Sequence, residues 1–288
     1  MRHSFRRRGG FTLIEVVVVL LIFGFVLAMA AAVTRGVIAS QNRSLTSSRM
    51  AGVDAALAQF VQQQKRLPCP ADGTLDSTNN NAGVEGARTG AGCSGTLANG
   101  VVPWRALAIS ENDATDGWGR RLTYRLDPQL GADSGMDMSW CDPAGTQAPA
   151  APATCSTTCT STTLSNCTPP VLFLRARGLI VKTVAGVVVM DPQSGTALPP
   201  TGAAYVLISA GETGGGGYLG SGVLGSSTVT DGTEEQKNYA SQAYVAGTTY
   251  YLDDSINSTS GAAHYDDIVS RPSVLSLASK AGLAPRTH

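Results

Sequence analysis

The residues best suited to chemistry lie near the two ends of the chain. Near the start, Gly9-Gly10-Phe11 forms a small-residue junction ahead of an aromatic. Glu15 then places one carboxylate at the mouth of an apolar run that continues to Val33. An unpaired carboxylate near the end of a membrane helix costs on the order of a few kcal/mol, so something must compensate Glu15. Near the other end, Asp253-Asp254 and Asp266-Asp267 form two carboxylate pairs. Their oxygens suit a hard cation such as calcium. The spacing fits no derivable calcium loop, and a solvated acidic loop is the plainer reading. The six cysteines are Cys69, Cys93, Cys141, Cys155, Cys159 and Cys167. Cys155 and Cys159 have a metal-like spacing, but no histidine adjoins them and no second close pair exists, so disulfides are favoured. Of three histidines, His3 and His288 lie at the termini and His264 stands alone. No nucleophile, base and orienter emerge from this spacing, and catalysis is not expected.

Elements must position these groups. The run from Phe11 to Val33 reaches about the 20 residues that cross a bilayer as a helix. Arg2, Arg6, Arg7 and Arg8 precede it and place the N-terminus in the cytoplasm by the positive-inside rule. From Arg35 to Arg66 there is no proline, and Met50, Val53, Leu57 and Phe60 step along one helical face. Gln62 to Arg66 makes a polar, cationic last turn, and Leu67-Pro68 ends the helix. Gly24 is the candidate weak point in its first half.

Gly10-Phe11-Thr12-Leu13-Ile14-Glu15, with its basic leader and apolar continuation, resembles the class III signal of type IV pilins and type II secretion pseudopilins. The resemblance implies cleavage by a prepilin peptidase between Gly10 and Phe11 and N-methylation of Phe11. It further implies that Glu15 pairs with the N-terminal amine of a neighbouring subunit. The plainer alternative is a secretory signal or simple anchor, with Ala28 to Ala32 as a small-residue cleavage site. Such a signal has no use for Glu15.

Beyond Pro68 the composition changes. The whole chain carries zero net charge, so no global field draws it to nucleic acid. Only 15% of its 288 residues are charged, and Gly, Ser and Thr are abundant, as in loop-rich β structure. Six cysteines suit an oxidising compartment. Asp72 to Gly100 reads as a long loop bracketed by Cys69 and Cys93, which a disulfide would staple. Leu122, Tyr124 and Leu126 alternate with Thr123 and Arg125, as in a half-buried strand. Trp118 reads as a core residue beneath a turn at Gly117 and Gly119. A low-complexity, cysteine-rich insert occupies about 133–170. Residues 171–177, 179–183 and 187–190 read as an antiparallel meander, and 204–209 as a further strand. Gly211 to Tyr218 reads as a flexible turn; it lacks the lysine and helix of a phosphate loop. Residues 273–280 form a final helix or strand.

These readings predict an α+β, type IV pilin-like fold: a long N-terminal helix packed on an antiparallel β-sheet head with disulfide-stapled loops. The expected parts are a leader (1–10), a transmembrane helix (11–34), an amphipathic stalk (35–66) and a globular head (67–288). The expected function is structural, as a minor pilin or pseudopilin. A tip-located adhesin or priming module is the alternative, and a membrane-anchored periplasmic enzyme or receptor a weaker one. Expected partners are other pilin subunits, the prepilin peptidase, an inner-membrane assembly platform and the membrane, without nucleic acid. No cofactor is required, and calcium is the one candidate. The expected location is the inner membrane, head in the periplasm, and then a filament.

Overall fold

The computed structural model describes residues 12–90, 92–94, 98–137, 174, 177–192, 202–226, 232–245, 247–259 and 261–283, with residues 30–35 described by backbone only. Gly10, Phe11, Cys141, Cys155, Cys159 and Cys167 lie outside the described residues. The chain forms two compact units, residues 1–42 and 43–288. Helix α1, Leu13–Gln64, runs through both.

In the first unit every described side chain from Thr12 to Met29 is exposed. Among the described residues no helix is long and apolar enough to cross a membrane. The expected span 11–34 also includes Phe11 and side chains 30–34, which are outside the described set.

In the second unit α1 buries Met50, Val53, Leu57 and Val61. The fourth position is therefore Val61 and not Phe60, because steps of three, four and four keep the stripe on one face. Phe60 is half-buried, and the Arg66 guanidinium stands over its ring, 5.1 Å from the centroid. The helix also stops earlier than Arg66. Lys65 adopts a left-handed φ of 53°, and its carbonyl accepts from Met136 N–H at 2.9 Å. Arg66 is no solvated helix-end cation. It is buried, and its fork meets Glu85 through Nη1–Oε1 at 2.5 Å and Nη2–Oε2 at 3.1 Å.

The strands follow as β1 (Ala71–Asp72), β2 (Arg88–Thr89), β3 (Gly92–Cys93), β4 (Gly100–Val101), β5 (Arg120–Arg121), β6 (Thr123–Leu126), β7 (Ile180–Lys182), β8 (Val188–Met190), β9 (Tyr205–Ser209), β10 (Tyr218–Leu219), β11 (Tyr250–Leu252) and β12 (Ile268–Ser270). Helix α2, Val274–Lys280, follows, with Ser273 Oγ accepting from Ser276 N–H as its N-cap. The main sheet has the order β1-β4-β6-β9-β12 and is antiparallel throughout. Its longest ladder joins β6 to β9, from Thr123 opposite Ile208 to Leu126 opposite Tyr205. The fold is α+β, as the sequence predicts.

A second sheet has the order β11-β7-β8. β7 and β8 form the expected antiparallel hairpin, turning at Gly186 with φ 80°. The third strand is β11, which pairs parallel to β7 with Tyr250 opposite Ile180. The sequence reading gives no strand at residues 250–252, and β11 adds one there beside the expected hairpin. Of residues 171–177, only 174 and 177 are described.

The main sheet is covered on both faces. Tyr205 and Leu207 of β9 join the core of α1 and α2, whereas Val206 and Ile208 join a second core with Val181, Met190 and Tyr251. Alternate residues of one strand point to opposite faces, so two cores take alternate side chains. This overturns the half-buried reading of β6: Thr123 and Arg125 are buried with Tyr124 and Leu126. Burying a residue such as Leu57 contributes about 2 kcal/mol.

Cys69 and Cys93 form the expected disulfide across a separation of 24 residues. The loop it staples is also held from within, since Glu85 Oε1 accepts from Cys69 N–H at 2.9 Å. Trp118 is half-buried rather than a core residue. The buried group in its turn is Asp116, whose Oδ1 accepts from the N–H groups of Trp118 and Arg120, each at 2.9 Å. The glycine-rich segment after β9 is packed against its neighbours. A Cβ on Gly216, where φ is 75°, would stand 2.3 Å from the Tyr239 ring.

Candidate functional site

Thr12 precedes α1, and its carbonyl accepts from Glu15 N–H at 3.1 Å and Val16 N–H at 3.3 Å. These bonds close the first turn and set Glu15 within it. A carboxylate here is favoured by the helix dipole, which is positive at this end. Behind it, Val16 to Leu20 and Phe23 to Leu27 display apolar side chains outward. Leu13 is 84% exposed and Phe25 is 73% exposed. Exposed apolar side chains along a helix mark an interaction surface for lipid or for other helices.

In the head, the four aspartates that are the calcium candidates are each held by other groups of the chain. Asp253 pairs with Arg271 Nε. Asp254 accepts from Val184 N–H at 2.9 Å and Ser255 N–H at 2.7 Å. Asp266 accepts from Thr213 N–H at 2.8 Å and from Thr213 Oγ1 at 2.9 Å. Asp267 Oδ2 accepts from Asn238 Nδ2 at 2.8 Å. Each carboxylate thus ties down a different piece of chain, and the four are not gathered around one point. Asp266 and Asp267 are also buried, which corrects the reading of a solvated acidic loop.

What the fold gathers instead is Glu235, His264 and Asp266. Their ligand-capable atoms lie within 4.8 Å of one another, and all three residues are buried. His264 Nδ1 stands 2.8 Å from Glu235 Oε2, while Asp266 N–H donates to Glu235 Oε1 at 2.8 Å. Burial pushes the Glu235 carboxyl above its ordinary range, against the His264 and Asp266 N–H hydrogen bonds that lower it. No spacing in the sequence signals this group, because Glu235 and His264 meet only through the loops that flank β11.

Other buried charges that sequence reading missed serve the scaffold. Arg121 is held by Glu111 Oε1, with Nη2 at 2.7 Å, and its Nη1 donates to the carbonyls of Gly73 and Leu75. Asp127 caps the short 3-10 turn Pro128–Gly131 and also accepts from Gly178 N–H at 2.8 Å. Burial raises its pKa to about 6 despite those two backbone bonds.

A helix with an exposed apolar start and an α+β head with a disulfide-stapled loop are consistent with a pilin-like architecture. Residues 5–31 match the family model described as the prokaryotic N-terminal methylation motif, the signal of type IV pilins and pseudopilins. The motif implies a membrane-anchored N-terminus of the pilin kind, a prepilin peptidase and assembly with other pilin subunits. No curated protein and no solved structure matches the chain.

Proposed function

We propose that the chain is a minor pilin or pseudopilin, a structural and non-catalytic subunit of a type IV pilus or type II secretion-like filament. The observation that carries this reading is the methylation motif at residues 5–31 on a helix whose apolar side chains are exposed. Cleavage after Gly10 frees the Phe11 amine, which is then methylated. The subunit sits in the inner membrane as a single-pass protein, with residues 11–34 in the bilayer and its head in the periplasm. It leaves the membrane by packing its helix among those of its neighbours on an assembly platform. There the Glu15 carboxylate meets a neighbour's Phe11 amine, an ion pair that removes the cost of burying either charge alone. The size of the head and its cysteine-rich insert of about 133–170 support a minor over a major subunit, since both would crowd a dense lattice.

Glu15→Ala tests the assembly step. The variant is expected to fold, be cleaved and be methylated, and to enter filaments at least about tenfold less well, the equivalent of about 1.4 kcal/mol. Wild-type incorporation by Glu15→Ala would remove the proposed ion pair.

A further inference from the structure

Three segments converge beside the C-terminal end of β9. The connector after Gly232 brings Glu235, the loop before β12 brings His264 and Asp266, and the turn after β9 brings Thr213. Glu235, His264 and Asp266 are only 2%, 3% and 6% exposed. Among the described residues no lysine or arginine pairs with Glu235 or Asp266, and His264 is the only cationic group in an ion pair with either. Among the described residues, two carboxylates and one imidazole are therefore buried together, with His264 the one group that can bring positive charge to them through an ion pair. Buried charge of one sign is costly until a cation or a proton compensates it.

We propose that Glu235, His264 and Asp266 form a binding site for a divalent transition metal of the zinc type. An imidazole with two carboxylates is a borderline donor set, suited to zinc and its neighbours better than to calcium, which takes oxygen ligands alone. The ligand-capable atoms of the three residues lie within 4.8 Å of one another, and one pair among them is closer. Two ligands of a tetrahedral zinc at about 2.0–2.1 Å from the ion stand about 3.3 Å apart. The contact between His264 Nδ1 and Glu235 Oε2 is 2.8 Å. The ion therefore enters by widening that contact by about half an ångström and displacing the proton the pair shares, which leaves to solvent. The outer contacts are in place: Thr213 holds both oxygens of Asp266, and Gly232 N–H donates to Glu235 Oε2 at 3.2 Å. Such contacts orient ligands and raise affinity. The ion fastens three loops to the edge of the main sheet, so its binding is coupled to their folding. This site is distinct from the calcium reading of the paired aspartates, of which it uses Asp266 alone.

The test uses the untagged full chain in detergent, stripped with EDTA and titrated with zinc chloride, with calcium chloride in parallel. The expected result is a single bound zinc per chain, a rise in Tm with zinc and no comparable rise with calcium. His264→Gln and Glu235→Gln are expected to weaken zinc binding at least about tenfold. Asp266→Asn keeps an acceptor for Thr213 and serves as the variant least disturbing to the fold; it is expected to weaken zinc in the same way. A chain that takes up no zinc, three variants that bind it as the parent does, or a Tm that responds to calcium in place of zinc would each overturn the proposal.

Discussion

The Tyr205 hydroxyl on β9 donates to the Asp54 carboxylate on α1 at 2.8 Å. Ser270 on β12 donates to the other oxygen of Asp54 at 2.8 Å. One carboxylate thus fastens the helix to two neighbouring strands of the main sheet. Burial raises the Asp54 pKa, and the two hydroxyl bonds act against that rise. Replacing Asp54 by Ala leaves both hydroxyls without this partner. The head is expected to lose about 1–3 kcal/mol, read as a lower urea midpoint with an unchanged slope. A midpoint equal to that of the parent would show that the junction is held by apolar packing alone.

The disulfide makes a second prediction. Cys69 and Cys93 are separated by 24 residues. Closing a loop of that length in the unfolded chain is worth about 3 kcal/mol in the chain-entropy view. The double replacement of both cysteines by Ser is expected to lower stability by about that amount. The Arg66–Glu85 pair, which also holds the stapled loop, should keep the folded loop in place. Far-ultraviolet circular dichroism matching the parent, with a reduced denaturation midpoint, is the expected pair of results. An unchanged midpoint would assign the loop's order to Glu85 and its partners.

Stability should also depend on pH through Asp127. Its folded pKa of about 6 lies above its ordinary value of 3.8 because it is buried. A raised folded value means that the native state binds the proton more tightly than the unfolded chain. The stabilisation is complete below about pH 4 and is lost as pH rises through about 6. The loss amounts to about 3 kcal/mol by pH 7.5. Asp127→Asn removes this titration, and the remaining Oδ1 can still accept one of the two backbone N–H groups. Urea midpoints at pH 5 and pH 7.5 measure the later part of this loss, about 1.4 kcal/mol. A parent and a variant with the same pH dependence would clear Asp127 of this role.

Local pattern carried some of this architecture, and topology carried the rest. The Gly10 to Glu15 signal is contiguous, so its chemistry is readable from the chain alone. The helical stripe was readable to within one residue: Phe60 and Val61 both continue a stripe from Leu57, and packing chose Val61. The alternation in β6 misled because Thr123 and Arg125, polar by type, face the second layer and not water. That layer includes β11, whose parallel partner β7 lies far back along the chain. Neither β-propensity nor turn residues can report such a pairing. The Glu235–His264 contact was hidden for the same reason, since it exists only when separate loops close on one sheet edge.

Processing of the N-terminus tests the central claim most directly. The protein is purified from the membranes of cells that express a prepilin peptidase, and its N-terminal peptide is analysed by mass spectrometry. The account predicts a mature chain that begins at Phe11 and carries a methyl group on its amine. A chain that begins at Met1, or one cut near Ala31, would contradict it.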